Sequence, residues 1–333
     1  METCIDAPLY LCLILSVLSL SRGVDLGKHR LRTLRMAWIN LQRSVYLFRT
    51  QATAFLLHSL SGILLFSRLC GLNMKQFAIV GCGKMGQSLA KCIVPVLSCK
   101  CVCCDVADSA LSEIQKLFGD KVECTKDIKA VANSCDVVLL AVKPVHAPKV
   151  LEILGSGIQK TILSIVAGIT SQTLKSLAGT PNVIRIMPNT PALVGAGSIV
   201  ILDDNLPDEK KAILSKLFAS AGFVHFVQNE SMMDAVTGLS GSGPALFAIM
   251  AEALADAAVA QGLPRNLASD LARETMFGTA RLLEVQHPDI LKESVMSPGG
   301  TTAAGILAAE NAGFRSASQA FVIAATQKSH DMR

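Results

Sequence analysis

Aromatic and charged residues are both scarce in this chain. Of its 333 residues, 5% are aromatic and 17% are charged, whereas 51% are hydrophobic. A chain of this length is typical of about two domains and can bury a large core. The composition predicts packed helices rich in Ala, Leu and Val, together with buried parallel strands.

The main body of the chain lacks any excess of positive charge. Residues 1–73 hold eight basic and three acidic residues, and this excess equals the whole net charge of +5. Residues 74–333 are therefore neutral, which argues against a nucleic-acid surface in that part of the chain.

The eleven cysteines lack the pattern of a disulfide framework or a zinc site. Cys101 and Cys104 have CxxC spacing, but both fall within one apparent strand. A strand has no turn to bring both thiols onto one metal, and no second pair or histidine lies nearby. We therefore expect no metal site and a reduced, cytoplasmic protein.

Residues 1–73 lack a complete targeting pattern. The apolar run Leu9–Leu20 has no basic region in front of it, and the run Phe55–Leu72 is interrupted by His58 and Arg68. The Arg-rich stretch between the two runs vaguely resembles an organellar transit peptide. We expect an upstream extension that belongs to no folded domain, with a misassigned start as one explanation. Organellar targeting and membrane attachment are the alternatives.

The strongest motif is a dinucleotide-binding fingerprint at the start of the main body. The apolar strand Phe77–Val80 leads directly into Gly81-Cys82-Gly83-Lys84-Met85-Gly86, and a helix is predicted over Gln87–Val96. In such a strand–loop–helix unit the first glycine permits a tight turn. The second lets a pyrophosphate approach the backbone, and the third lets the helix pack closely.

Asp105 ends the second predicted strand, Lys100–Cys104. An acid at this position can accept a hydrogen bond from a ribose 2′-OH and repel a 2′-phosphate. An aspartate is also common as a helix N-cap, so a purely structural role is the alternative.

Strands and helices alternate up to residue 229, and only helices are predicted after it. Further strands are predicted at 136–142, 161–166, 182–186, 198–202 and 222–227. The sequence predicts an α/β Rossmann-type dinucleotide-binding domain at 74–229 and an all-α domain at 230–333. Helices so rich in alanine are hard to leave in solvent on all sides, which predicts a subunit interface in the second domain.

A second ligand-binding pattern lies in the helical half, at Pro298-Gly-Gly-Thr-Thr302. Pro298 ends the preceding helix, and the two glycines let the backbone approach a ligand. Thr301 and Thr302 can cap the helix that follows. The start of that helix offers unpaired N–H groups and a positive dipole end, which suit a carboxylate or a phosphate.

With these motifs, the chain resembles the pyrroline-5-carboxylate reductases, the last enzymes of proline synthesis, over about residues 74–330. The resemblance implies a Rossmann domain for NADPH or NADH and a helical dimerisation domain that interlocks with a second subunit. Members of the family form homodimers that often assemble into decamers. Besides the two glycine-rich loops, the resemblance rests on Ala141-Val-Lys-Pro144, Met187-Pro-Asn-Thr-Pro191, Gly238-Leu-Ser-Gly-Ser-Gly-Pro-Ala245, Gly262-Leu-Pro264 and Gln286-His-Pro288.

The resemblance also implies substrate contacts. The backbone N–H groups of Gly300, Thr301 and Thr302 would hold the substrate carboxylate, and Thr302 Oγ would bond the ring nitrogen. Glu230 matches a substrate-side acid, although a charge at a helix start is the structural alternative.

For the cofactor, the resemblance implies contacts from Ala141, Lys143 and Ala167. Many relatives carry Ser, Thr or Asn where this chain has Asp105, and some carry Asn where it has Ser294. The choice between NADPH and NADH therefore stays open.

Reduction of a cyclic imine needs a hydride donor and a protonated or well hydrogen-bonded nitrogen, but neither a metal nor a covalent nucleophile. Thr302 is a poor proton donor near neutral pH, so we assign it the role of orienting the substrate. One alternative is a related two-domain reductase of a small hydroxy acid. Such an enzyme would need a catalytic lysine, and the sequence of residues 230–333 does not show one in the expected pattern. The other is a non-catalytic NAD(P)-binding regulatory protein.

Overall fold

The computed structural model describes residues 76–155 and 160–333. The predictions made for residues 1–73 lie outside these described residues. Within them, an α/β sheet domain is followed by a region built of helices, which confirms the predicted fold class.

One sheet of eight strands, in the order β3-β2-β1-β4-β5-β6-β7-β8, runs through the described part of the sheet domain. The first six strands are parallel, β7 is antiparallel to β6, and β8 is parallel to β7. Only a short 3₁₀ turn at Thr190–Val194 and a few residues join β6 to β7, too few for the crossover that a parallel pair needs. The strands are β1 (Phe77–Val80), β2 (Cys101–Cys104), β3 (Val122–Thr125), β4 (Val137–Leu140), β5 (Thr161–Ser164), β6 (Val183–Met187), β7 (Gly197–Leu202) and β8 (Gly222–Val227).

Helices connect the strands and then form the rest of the described chain. Those of the sheet domain are α1 (Lys84–Ile93), α2 (Asp108–Phe118), α3 (Ile128–Ser134), α4 (Ala147–Gly155), α5 (Ser171–Ala178) and α6 (Asp208–Phe218). Those of the helical region are α7 (Glu230–Val236), α8 (Gly243–Ala260), α9 (Arg265–Leu283), α10 (Pro288–Val295), α11 (Thr301–Asn311) and α12 (Phe314–Asp331).

The centre of the sheet is buried on both faces. Successive residues of a strand point to opposite sides, so a strand covered on both sides must be apolar throughout. On β1, Phe77 and Ile79 pack into one apolar cluster, while Ala78 and Val80 pack into a second one. This packing explains the continuous apolar runs from which the central strands were predicted.

Several predicted strand ends differ from the observed ones by one or two residues, and three larger differences stand beside them. Helix α1 begins at Lys84 and not at Gln87, because Gly83 is already its N-cap and the helix starts inside the glycine fingerprint. Strand β3 was not predicted; only Val122 of its four residues is buried. A π-helical turn, Thr237–Gly241, joins α7 to α8, and the sequence analysis did not predict it.

The helical region leaves many large apolar side chains exposed. Phe247, Phe277 and Ile323 are 56%, 70% and 68% exposed. One helical stretch in the described residues, Glu230–Ala260, is long and apolar enough to cross a membrane by length and composition alone. Its mean hydropathy is 1.5, and only 11% of its most apolar window is buried. A surface of this kind needs a cover, either a partner or a lipid phase.

Candidate functional site

The glycine loop between β1 and α1 has the shape that a dinucleotide requires. Gly81 has φ +96°, and a Cβ there would lie 2.5 Å from the carbonyl oxygen of Ala141. A Cβ on Gly86 would lie 2.0 Å from the carbonyl oxygen of Gly81, so both positions require glycine. A Cβ on Gly83, in contrast, would meet no neighbouring group of the described chain within 4 Å, which leaves the outer side of the loop open to a ligand.

Asp105 faces this loop from the end of β2. Its Oδ2 accepts a hydrogen bond from the Cys82 N–H at 2.6 Å, and its Oδ1 accepts one from the Ala107 N–H at 2.9 Å. A carboxylate oxygen has two lone pairs, so each oxygen can still accept a second hydrogen bond. The carboxylate therefore supports the loop and remains able to accept from a ribose hydroxyl.

Helix α1 holds the same loop residue from the other side. Gln87 Nε2 donates to the carbonyl oxygen of Cys82 at 2.9 Å and to Glu113 at 2.8 Å. Both backbone groups of Cys82 are thus fixed, which preorganises the loop for its ligand.

The Cys82 side chain takes no chemical part in this site. It is fully buried, and its hydrogen bond to Cys103 and its burial raise the pKa of the Cys82 thiol. Burial likewise raises the pKa of Cys104 to about 11. Both thiols stay protonated at neutral pH and are poor nucleophiles. Cys82 can contribute to ligand binding only through its backbone.

The other predicted cofactor residues lie at the same edge of the sheet. Ala141 follows β4 and donates its N–H to the Val80 carbonyl oxygen at 2.7 Å, while Lys143 is exposed two residues later. Ala167 follows β5 and packs against a small apolar cluster that contains Met187 and Met233. Because β1, β4 and β5 are parallel, their carboxyl ends meet along one edge, where ligands bind in sheets of this type.

The second glycine turn presents the start of α11. Gly300 is the N-cap, and Thr301 and Thr302 are the first two helical residues. The predicted side-chain capping by these threonines is wrong: no hydroxyl caps α11, because the extended Gly300 takes the cap position. The Thr302 hydroxyl is therefore free of a capping role and can meet a ligand.

The backbone N–H groups of this turn are only partly available. The Gly300 N–H donates to the Ser297 carbonyl oxygen at 3.0 Å, so one of the three predicted donors is already engaged. The helical ladder starts with Ala304 N–H to Gly300 C=O at 3.2 Å. The N–H groups of Thr301 and Thr302 precede it and have no intrahelical partner. An anion at this helix start would meet these two donors.

Glu230 lies at the junction between the sheet and the helical region. One carboxylate oxygen forms an ion pair with Arg185 of β6, and the other accepts the Ser171 N–H of α5 at 3.1 Å. No hydrogen bond or ion pair of the described residues joins Glu230 to Thr302, since α11 packs chiefly against α12. Within one subunit the structure thus does not bring the predicted substrate acid to the predicted substrate turn.

The sequence analysis missed Arg185, the partner of Glu230. Its side chain is 1% exposed, although it carries a full charge. A single arginine within the apolar strand Val183–Met187 was the available signal, because charged residues are almost never fully buried unless they are paired.

Two family models match different parts of this chain. Residues 230–332 match the family model described as pyrroline-5-carboxylate reductase dimerisation. Residues 76–168 match the model described as NADP oxidoreductase coenzyme F420-dependent. Two relatives are both named pyrroline-5-carboxylate reductase. The one from Arabidopsis thaliana is 40% identical over 77% of this chain and 95% of its own length. The one from Synechocystis is 43% identical over 66% of this chain and 82% of its own length.

Solved structures show the same similarity. The Plasmodium falciparum pyrroline carboxylate reductase with NADP bound has a TM-score of 0.68 and 30% identity, covering 78% of this chain and 98% of its own. A pyrroline-5-carboxylate reductase from Coxiella burnetii has a TM-score of 0.70 and 28% identity, covering 78% and 99% of the two chains.

Proposed function

The chain belongs to the pyrroline-5-carboxylate reductase family, and we propose that it reduces 1-pyrroline-5-carboxylate to L-proline with hydride from NADPH or NADH. The reaction is the last step of proline biosynthesis. The observation that carries this function is the presence of two preformed loops in one chain. The first is the open glycine loop in front of α1. The second is the turn in front of α11, where no side chain caps the helix and the Thr302 hydroxyl is left for a ligand.

The residues of the first loop fit a nicotinamide dinucleotide. The crowded Gly81 and Gly86 keep the loop tight, the open side at Gly83 admits a pyrophosphate, and the α1 N-terminus attracts its charge. Asp105 would accept a hydrogen bond from the ribose, and Ala141, Lys143 and Ala167 would contact the cofactor along the same edge of the sheet. When bound, the nicotinamide supplies the hydride.

The second loop fits the substrate. The N–H groups of Thr301 and Thr302 bind the carboxylate at the positive end of α11. Thr302 Oγ accepts a hydrogen bond from the protonated ring nitrogen and orients the ring. Since the iminium already carries its proton, these residues need only bind and position it, which can supply several kcal/mol of catalysis.

The helical region forms the dimer, and the second copy covers its exposed apolar surface. Its match to a dimerisation family and its exposed Phe247, Phe277 and Ile323 support a second copy, and not a lipid phase, as the cover of its apolar surface. The second copy also offers a route by which the α11 turn meets a cofactor loop. We further propose that the dimers assemble into a decamer. Light scattering after size-exclusion chromatography measures the molar mass of the assembly and tests this.

A cytoplasmic location is also part of the proposal. It is supported by the lack of a complete targeting pattern in residues 1–73. Cell fractionation with an antibody against the sheet domain tests it, and recovery in an organellar or membrane fraction would contradict it.

The activity is tested with the full chain and both cofactors. Purified dimer should oxidise NADPH or NADH only when 1-pyrroline-5-carboxylate is added, and proline should accumulate in equal amount. Gly86→Ala is the matched inactive control, because its Cβ would displace the Gly81 carbonyl and deform the cofactor loop. A folded wild-type dimer without turnover on either cofactor would refute the proposal.

A further inference from the structure

A polar cluster joins the helical region to the sheet domain beside the expected nicotinamide edge. Asp234 of α7 is its centre and is 3% exposed. Asp234 Oδ1 accepts hydrogen bonds from Ser329 Oγ at 3.0 Å and from Arg333 Nε at 3.2 Å. Arg333 Nη2 pairs with the other oxygen of Asp234. These contacts fasten the end of α12 to α7.

The same arginine reaches the residue that contacts the sheet. Arg333 Nη2 donates to the Glu230 carbonyl oxygen at 2.9 Å. The Glu230 carboxylate in turn binds Arg185 and the Ser171 N–H. Ser171 is the first residue of α5, so Glu230 places a negative charge at the positive end of that helix.

Met332, which follows α12, lies against the segment that precedes α5. Gly168 has φ +72°, and a Cβ at this position would lie 3.2 Å from both Cβ and Cε of Met332. Gly168 directly follows Ala167, the expected cofactor contact of this strand end. Loop 165–170, which runs from β5 to α5, is therefore held at Gly168 by Met332 and at its α5 end by Glu230.

We propose that Glu230 and Arg333 are positioning residues for the cofactor, which they serve by fixing loop 165–170 from the helical region. The proposal rests on the proposed function in taking Ala167 as a cofactor contact. It gives Glu230 a role besides the predicted substrate contact: each carboxylate oxygen binds a group of the sheet domain, so Glu230 acts on the cofactor through the loop. Cofactor affinity then depends on the contacts that Arg333 and Ser329, at the end of α12, make with α7.

Arg333→Met tests this role, because it removes the charge at similar side-chain length and leaves Arg185 paired with Glu230. The change removes three hydrogen bonds, two to Asp234 and one to the Glu230 carbonyl oxygen, and the last of these leads to the loop. Loss of that one charge-assisted contact corresponds to roughly a tenfold change in affinity. We expect the Kd of NADPH, measured by fluorescence titration without substrate, to rise by about that factor. The KM of the imine at saturating cofactor should stay within about twofold of the wild-type value. Amide exchange in peptides covering residues 165–171 should become faster.

Two further variants separate positioning from general stability. Lys328→Met removes an exposed charge from the last turns of α12, five residues before Arg333, and should leave the Kd of NADPH unchanged. Arg333→Lys keeps the charge near Asp234 and should recover part of the affinity. Asp234→Asn combined with Arg333→Met should weaken binding no more than the stronger single change, because the two residues act as one unit.

Two results would overturn the proposal. One is an unchanged Kd of NADPH in Arg333→Met. The other is a parallel loss of cofactor affinity, imine KM, melting temperature and dimer, which would show a role in folding alone. The readouts also distinguish this proposal from the proposed function. Wild-type protein that binds NADPH but never reduces the imine would refute the proposed function. The Kd of NADPH and the amide exchange of residues 165–171 would still test the positioning role in that case.

Discussion

Thr302→Ala removes the hydroxyl that we propose to contact the ring nitrogen of the substrate directly. The structure makes this a clean perturbation, since Thr302 is the second residue of α11 and its hydroxyl does not cap the helix. Alanine is also the best helix former, so the helix itself should not be weakened. The backbone N–H that binds the carboxylate remains in place.

The expected loss follows from one hydrogen bond to a charged group. Such a bond contributes about 1.5–3 kcal/mol, which corresponds to roughly a 10- to 100-fold decrease in kcat/KM. The initial rate of cofactor oxidation, measured over a range of imine concentrations, gives this value, and the Kd of NADPH should hardly change. Thr301→Ala is the matched comparison, because it also keeps its N–H and loses a hydroxyl that caps nothing; its loss should be several-fold smaller. Wild-type kinetics in Thr302→Ala would remove Thr302 from the site.

Three further predictions concern the cofactor, acid stability and the extension. Asp105→Ser should raise the use of NADPH relative to NADH by removing the charge that repels a 2′-phosphate, and competition kinetics with both cofactors measure it; a strong wild-type preference for NADPH that this change leaves unaltered would contradict the role of Asp105. The hydrogen bond from Lys211 lowers the pKa of the Asp203 carboxyl below its ordinary 3.8, so its stabilising contribution is present above pH 3.8 and is lost as the pH falls towards the folded-state pKa. Urea unfolding should show that Asp203→Asn is less stable than wild type at neutral pH and that the difference shrinks as the pH is lowered below 3.8. An equal difference above and below that pH would argue against this linkage. Removal of residues 1–73 should leave kcat and melting temperature within error and improve solubility, because apolar runs that belong to no folded domain would promote association. A large drop in kcat or in melting temperature would show that these residues contribute to the activity or the stability of the enzyme.

The sheet domain and its cofactor loop could be predicted because each depends on local sequence. Phe77–Val80 is apolar at every position, as a strand buried on both faces must be, and the GxGxxG spacing follows at once. Strand β3 escaped prediction because it is short and only Val122 of its residues is buried. The π-helical turn at Thr237–Gly241 escaped because its glycines suggest a break when tertiary packing is unknown.

The contacts of Glu230 and Asp234 could not be predicted because their partners are distant in the sequence. Arg185 precedes Glu230 by 45 residues, and Arg333 follows Asp234 by 99. A charge at a helix start gives no indication of which distant group it meets. The sequence also could not predict which backbone N–H groups of the turn before α11 are free to bind a ligand. The Gly300 N–H donates to the Ser297 carbonyl oxygen, and the Pro-Gly-Gly pattern does not specify that hydrogen bond.

Isotope transfer is the most direct measurement of the central claim. The full-length protein is incubated with 1-pyrroline-5-carboxylate and NADPH, or NADH, carrying deuterium at the transferable position of the nicotinamide, and the product is analysed by mass spectrometry and NMR. We expect L-proline with one deuterium at C5, the former imine carbon, and no labelled proline in samples of the Gly86→Ala variant. Cofactor oxidation without labelled proline, or no oxidation by a folded dimer, would contradict it.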